Sequence, residues 1–590
     1  MKPHRYIVGI DLGTTNSVLA YAEADSPEQP KIEVLDIAQL TAAGSVERWP
    51  MLPSFLYLPA ADELAPSALE LPWGPSENGI VGHFARSRGA EVPTRVVSSA
   101  KSWLCYAGAR RDAAILPWNA PDDVPKVSPV EAATRYLQHL ASAWNLSFPE
   151  APLHQQEILL TVPASFDPVA RELTTRAAAA AGLEQITILE EPQAAFYAWI
   201  DCAGDDWRKT LRVGDTVLIC DLGGGTTDFS LIAVRDHGGE LGLERIAVGD
   251  HILLGGDNMD LALAYHVREQ LAGKGTTIDE WQFRSLVLGC REAKEKLLAD
   301  SKASSHPVAI LGRGRKLIGG TIKTDVQRAD VDRILIDGFA PHCRSTDMPQ
   351  AQRRTALQEI GLPYASDPAI TRHLARFLSR GDSRPTAVLF NGGVTHAALL
   401  RERLLEVLGS WYPQPADQLR VLHGDDPDHA VARGSVYYGL ARRGRGVRIR
   451  GGTARSYYVG IEAAMPAVPG MRPPIRALCV VPKGVEEGTE LETPSQEFGL
   501  VVGEPSEFRF LSSSLRPDDQ VGDLVEHWDE DEINELAPLE TRLTHEEVEE
   551  DLVPVRLQAK VTELGVLELW CVSRDGKSRW KLEFNVRDEH

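Results

Sequence analysis

Residues 221–228 read DLGGGTTD, acids, glycines and hydroxyls in a spacing suited to holding an anion beside a metal ion. Three consecutive glycines let a backbone adopt φ > 0 and approach a ligand closely, while N–H groups at the bend and the hydroxyls of Thr226 and Thr227 can point at phosphate oxygens. Asp221 and Asp228 bracket this tip with carboxylates, which repel phosphate unless a hard cation such as Mg²⁺ lies between them. The chemistry implied is the binding of a nucleotide with its metal. The plainer reading of the same letters is a glycine-rich turn flanked by solvated carboxylates.

Residues 217–220 before the tip and 229–234 after it have the β-branched, bounded character of buried strands, so the tip closes a hairpin. The pattern recurs. Residues 7–21, IVGIDLGTTNSVLAY, align with it, setting Asp11 against Asp221, Gly13 against the glycines, and Thr14 and Thr15 against Thr226 and Thr227. An internal repeat of this kind predicts two similar lobes, each presenting a tip to one ligand held between them.

Other stretches carry candidate chemistry. Residues 157–163 and 186–189 read as strands, and Glu190-Glu191-Pro192 follows the second, with the proline opening a helix. Glu191 is thereby placed at the strand's carboxyl end, where open α/β sheets bind ligands. There it could position an attacking water or hold metal-bound waters, and it reads equally as an acid favouring its own helix dipole. Lys101 lies within residues 81–104; a lone lysine is ordinarily solvated. Residues 254–260 offer another bend at Gly255 and Gly256, and a helix over 281–299 carries Arg291, Lys294 and Glu295. Residues 387–395 read as a strand with a Gly392-Gly393 turn, and residues 428–434, beginning at Asp428, open a helix. Strand, glycine pair and helix form a common phosphate- or nucleoside-binding arrangement. Two helix starts are scaffold: Ser128-Pro129-Val130-Glu131, an N-cap with a capping box, and Asp167-Pro168, ahead of an alanine-rich helix stopping at Gly182.

At 590 residues the chain exceeds one hydrophobic core, so three or four domains are expected. Its 43% apolar and 25% charged residues are those of a soluble globular protein. No apolar run approaches the ~20 residues of a membrane span, and MKPHRY lacks a secretory apolar segment. The expectation is a cytoplasmic protein without membrane contact. Seven scattered cysteines, never in CxxC spacing, argue against disulfides or zinc and read as buried apolar residues. A net charge of −22 argues against a nucleic-acid partner. Thirteen acids against the single base Arg542 fall within 523–551, a solvated loop or a partner-binding segment.

Composition shifts at residues 442–455, RRGRGVRIRGGTAR, a linker or basic seam. Beyond it, residues 457–461, 477–481, 498–502, 508–511, 555–561, 566–572 and 580–586 read as seven strands of a β-sandwich, with Asp575-Gly576 as a hairpin turn.

Several of these stretches resemble the seventy-kilodalton heat-shock chaperones of the DnaK type. GIDLGTTNSVLA, the lysine of SSAKSWL, TVPASFDPVAR, LEEPQAA, DLGGGTTDFS, the 254–260 bend, the Gly392-Gly393 pair and DPDHAVARG occur in that family's order over residues 5–440. The resemblance implies an α/β actin-like ATPase fold of two lobes, residues 1–210 and 211–440, then a linker over 441–455 and an all-β sandwich over 456–590. It implies Mg-ATP or ADP in the cleft, with K⁺ beside it. Gly13, Thr14, Thr15, Gly223, Gly224 and Gly225 would hold phosphates, with Gly255, Gly256, Lys294, Gly392, Gly393 and Asp428 completing the nucleotide site. Asp11, Glu191, Asp221 and Asp228 would serve Mg²⁺, Lys101 would meet the γ-phosphate, and Thr226 would pair with that phosphate or its water. Pro163 and Arg171 match residues that relay nucleotide state. Four positions depart from the family: Arg291 replaces an acid, Glu295 an arginine, Val394 a serine, and His396 an arginine that stacks on adenine. The acidic linker is replaced and no room is left for a helical lid, so an atypical, lidless member is expected.

The function expected is a slow Mg-dependent ATPase and chaperone that binds polypeptide clients, with a J-domain protein and an exchange factor as possible partners. The alternatives are a nucleotide-gated scaffold for one dedicated partner and a small-molecule kinase of the same superfold.

Overall fold

In the computed structural model the described residues are 4–585, apart from 27–29, 62, 77–78, 107–108, 167, 238–239, 301, 311–320, 351–361, 363, 381–382, 413–418, 448, 451–452, 454, 465–472, 484, 486–488, 495, 504, 514–515, 517, 530–531, 536–538, 543–551 and 562–565. The Asp167 cap, Val586 of the last strand and much of the acidic stretch 523–551 lie outside them. The chain divides into two compact units, residues 1–448 and 449–590.

The larger unit is built on two sheets of mixed direction. In the first, Tyr6–Leu12 and Asn16–Glu23 form an antiparallel hairpin, and Glu157–Val162 and Ile186–Glu190 add in parallel beside Tyr6–Leu12. In the second, Thr216–Leu222 and Thr227–His237 form the hairpin, and Ala387–Asn391 and Arg420–Leu422 add in parallel beside Thr216–Leu222. Each hairpin's second strand takes a further antiparallel neighbour, Glu33–Val34 or Glu240–Val248. One strand order is thus used twice, so the internal repeat extends over whole sheets. Both sheets bury apolar strand residues such as Val8, Ile10, Leu218 and Cys220 beneath helices.

The two hairpins also share one register. Leu12 faces Ser17 across a tip of residues 13–16, and Leu222 faces Thr227 across residues 223–226. This corrects the sequence alignment. Thr14 and Thr15 correspond to Gly224 and Gly225, and Asn16 and Ser17 to Thr226 and Thr227; the tips are equally long and the gap that matched threonines to threonines does not exist.

The helix Pro129–Ser147 starts as its letters require, with Ser128 Oγ accepting from Glu131 N at 3.0 Å, although the Glu131 carboxylate turns to Arg135 instead of closing a capping box. The helix Ala430–Arg442 packs on the helix Glu191–Ala203 so closely that a Cβ at Gly434 would fall on the Ala194 carbonyl. Of the cysteines, Cys220, Cys290, Cys479 and Cys571 are buried, Cys105 and Cys343 are half-buried, and Cys202 is exposed; none is bonded. Cys202 therefore departs from the expected burial: its thiol meets solvent and the Asp425 carboxylate at 3.1 Å.

The smaller unit is β-rich. Six of the seven expected strands form, the longest being Leu552–Val561, whose burial alternates along its length; the one expected over 508–511 is broken at Arg509, its residues divided between Pro505–Phe508 and Phe510–Ser513. Short strands at Glu490–Glu492, Pro505–Phe508, Leu524–Val525, Asn534–Glu535 and Leu539–Arg542 are additional. Two sheets, one centred on Ser456–Glu462 and one on Leu552–Val561, contribute Tyr457, Leu478, Val480, Val555, Leu557, Leu569 and Leu582 to one shared core. Among the described residues no helix is long and apolar enough to cross a membrane.

Candidate functional site

Four carboxylates gather where parallel strands end. Asp11 and Asp221 are the penultimate residues of their strands, Asp228 lies opposite Asp221 across the second hairpin, and Glu191 is the first residue of the helix after Ile186–Glu190. The carboxyl ends of parallel strands are where backbone termination and helix N-termini leave room for a ligand. Lys101, on the short helix Ala100–Cys105, reaches into this group and pairs with Glu191. It is buried, unlike an ordinary surface lysine; its side chain is 11% exposed and that of Glu191 12%.

The electrostatics follow from burial. Desolvation pushes Glu191 up to about 7; Lys101 pulls the other way, while Asp11 and Asp228 add repulsion. Desolvation likewise holds Asp221 well above the usual carboxylate range, reinforced by Glu191 and Asp228 and opposed by a hydrogen bond from Asn391. Asp11 is raised by burial against the pull of Lys101 and a bond from Thr161. Burial alone would depress the Lys101 ammonium, but Glu191 and Asp11 outweigh it and raise its pKa. Asp11, Glu191 and Asp221, held above their ordinary range chiefly by burial, stand with Asp228 as the carboxylates that could hold a hard divalent cation through its waters.

The two hairpin tips meet beside these acids. A Cβ at Gly225 would stand 2.7 Å from Thr14 Cγ2 and 2.9 Å from Ser102 Oγ, and one at Gly224 would stand 3.1 Å from Thr15 Cβ. None of Gly223, Gly224 and Gly225 takes a positive φ. This corrects the expected reason for the glycines: the second tip needs absence of side chains against the first, not left-handed backbone. Gly392 is the reverse case, with φ 84° and a would-be Cβ 2.7 Å from Asp221 Oδ1. Thr227 also departs from expectation. Its hydroxyl is fully buried and donates to Leu254 O at 2.7 Å, leaving Thr226 as the threonine at the tip.

The remaining predicted residues form a second ring. Gly256 N and Asp257 N donate to the carbonyls of Gly223 and Gly224 at 3.1 and 2.7 Å, tying the helix Gly256–Gly273 to the second tip, and Gly255 packs against the same carbonyls. Lys294 is committed inward, 2.6 Å from Asp260 and 3.2 Å from Gly256 O. Arg291 lies 3.1 Å from Glu295 and 3.6 Å from Asp257, so the two altered positions on this helix partner each other. Asp428 lies beside Gly393 and pairs with His396 at 3.0 Å.

Sequence reasoning missed four polar neighbours of the acids. Ser165 donates to Asp228 and lies 2.6 Å from His251 Nδ1. Burial alone would lower the His251 pKa, but the Cys105 thiol and Asp228 carboxylate push it up to about 10. Thr161 Oγ1 lies 3.4 Å from Asp11 Oδ1, and Asn391 faces Asp221 in the sheet register. Each lies within four residues of a stretch already singled out, which is the only signal they carried.

The family model Hsp70 protein matches residues 77–345. A chaperone protein HscA homolog of Bordetella petrii is 28% identical over 449 residues, covering 74% of this chain and 58% of its own. Another HscA homolog, of Pseudomonas aeruginosa, is 31% identical over 312 residues, 50% of this chain and 43% of that protein, and one of Shewanella denitrificans is 26% identical over 358 residues, 58% and 49%. The chain spans about half the length of the curated relatives it matches. Its larger unit has the mixed sheets and helices of an actin-like ATPase fold, a β-rich region follows, and over residues 77–345 the chain is similar to the Hsp70 family.

Proposed function

We propose that the protein is an ATP-dependent chaperone in which two lobes, residues 1–210 and 211–440, hold Mg-ATP between the paired tips, and a β-sandwich over 456–590, joined by the seam 441–455, binds polypeptide. The observation that carries this reading is the meeting of two equal four-residue tips beside Asp11, Lys101, Glu191, Asp221 and Asp228. Backbone N–H groups and the hydroxyls of Thr14, Thr15 and Thr226 supply phosphate donors. Asp11, Glu191, Asp221 and Asp228 would hold Mg²⁺ through its waters, and the ion supplies charge neutralisation for the phosphates. Lys101 neutralises charge on the γ-phosphate as it is cleaved, and Glu191 and Asp228 accept hydrogen bonds from the attacking water and orient it. Phosphoryl transfer needs positioned charge more than covalent help, and these residues provide it. K⁺ beside the phosphates belongs to the same reading.

The base and ribose would lie along Lys294, Gly392, Gly393 and Asp428. With His396 paired to Asp428 and Arg291 to Glu295, adenine contacts differ from the family pattern, and selectivity for ATP over GTP should be low. A J-domain protein and an exchange factor are the partners this reading calls for, and the cytoplasm its compartment. The test is steady-state hydrolysis of Mg-ATP by the full chain with and without an unfolded polypeptide. Stimulation by polypeptide supports the chaperone reading; a rate indifferent to polypeptide but raised by a small hydroxyl compound would favour a kinase.

A further inference from the structure

The helix that carries Lys101 also walls a cavity that none of the four carboxylates lines. Its volume is about 490 Å³, the size of a small-molecule site, against about 200 Å³ for the cavity beside Cys202 and Arg433. Its walls are aromatic. Trp103 and Trp118 stand 4.5 Å apart between ring centroids, tilted by 33°, and Tyr364 adds a third ring that is 46% exposed. Such rings bind flat partners by stacking as well as by area.

Two further observations converge on the same space. Among the described residues the only non-glycine positions with positive φ are Ser99, at 53°, and Asn119, at 55°, and both line this cavity. Left-handed backbone outside glycine persists where the surrounding structure imposes it, and it gathers at ligand sites. Arg284, half-buried on the helix Glu280–Ala299, lines the cavity too and has no ion pair among the described residues. The planar fork of a half-buried guanidinium matches a carboxylate in two parallel hydrogen bonds.

We propose that this cavity is a binding site for a planar aromatic carboxylate, its ring seated against Trp118 and Tyr364 and its carboxylate paired with Arg284. Asn119 stands at the rim, where its amide meets polar ring substituents. The site is separate from the acids and tips, and its assignment does not depend on the nucleotide reading.

The probe is 2-naphthoate, titrated calorimetrically into the full chain, with neutral 2-naphthamide as its isostere. The expected result is saturable one-to-one binding of naphthoate. Arg284→Gln should weaken it at least ~10-fold, the scale of losing a charged hydrogen-bond partner. Naphthamide should bind wild type at least ~10-fold more weakly than naphthoate and should not distinguish wild type from Arg284→Gln. Trp118→Leu should weaken both compounds, and the melting temperature of Arg284→Gln should match wild type. Absence of saturable binding, equal naphthoate affinity in wild type and Arg284→Gln, or equal affinity for the acid and the amide would overturn the assignment.

Discussion

Replacing Gly225 by alanine decides whether the two tips touch. Gly225 lies outside the left-handed region, so alanine is allowed there by backbone conformation. Without a neighbour it would stabilise the chain by about 0.4–1 kcal/mol, through the reduced freedom of the unfolded state. The neighbour reverses the sign. A Cβ would stand 2.7 Å from Thr14 Cγ2 and 2.9 Å from Ser102 Oγ, against the ~3.5–4.0 Å at which carbon atoms rest. Ser102 can swing its hydroxyl aside, but a threonine methyl is fixed by β-branching. The tips must part by about 1 Å, and overpacking of that kind costs about 1–3 kcal/mol. The expected net loss, taking the middle of each range, is about 1.3 kcal/mol in urea denaturation of the full chain without nucleotide. Thr14→Ser deletes the methyl and leaves Oγ1 at 3.4 Å, so the double variant should recover at least ~0.5 kcal/mol beyond additivity. A Gly225→Ala chain as stable as wild type or more so, with additive behaviour in the double variant, would refute tip contact.

Three other outcomes follow from the same reasoning. Glu190 is 2% exposed and pairs with Arg171 at 3.3 Å and Arg245 at 2.6 Å, so Glu190→Ala removes the carboxylate opposite the buried Arg171 charge, which keeps its bonds to Ala164 O and Phe166 O, and should cost about 3–5 kcal/mol by denaturation; a loss below about 1 kcal/mol would mean solvent reaches Arg171. His139 is buried against Ala38 O, and burial pushes its pKa down to about 4. A depressed folded-state value means stability present above the unfolded histidine value and lost as pH falls through about 4, on the order of 3 kcal/mol in all. His139→Gln should flatten that part of the profile between pH ~6.5 and ~4, and an unchanged slope would place the acid sensitivity elsewhere. Mg-ATP at one hundred times its Kd should stabilise the chain by about 2.7 kcal/mol, read as a melting shift.

The strands beside both tips are legible because their β-branched runs end at glycine, and six of the seven expected strands of the smaller unit because apolar residues alternate there. The tip register was not. Matching threonine to threonine looked better than matching threonine to glycine, and only the pairing of Leu12 with Ser17 and Leu222 with Thr227 shows that the loops are equally long. The burial of Lys101 was equally hidden, since its partner Glu191 lies ninety positions away. His251 carried no signal beyond its nearness to the 254–260 bend: one histidine in a loop gains its neighbours, Asp228 and Ser165, only when the second hairpin and the strand end at Val162 come together.

The most direct test of the account is single-turnover hydrolysis of Mg-ATP by wild type, Lys101→Ala and Asp221→Asn. In the proposed site, Lys101, paired with Glu191, and Asp221, buried among the other acids, are the groups assigned to the charge that develops. Hydrolysis should fall at least ~100-fold in each variant, the scale of losing one positioned charge, while Mg-ATP still raises the melting temperature of Lys101→Ala. Wild-type hydrolysis by Lys101→Ala, or a wild-type chain whose melting ignores Mg-ATP, would contradict it.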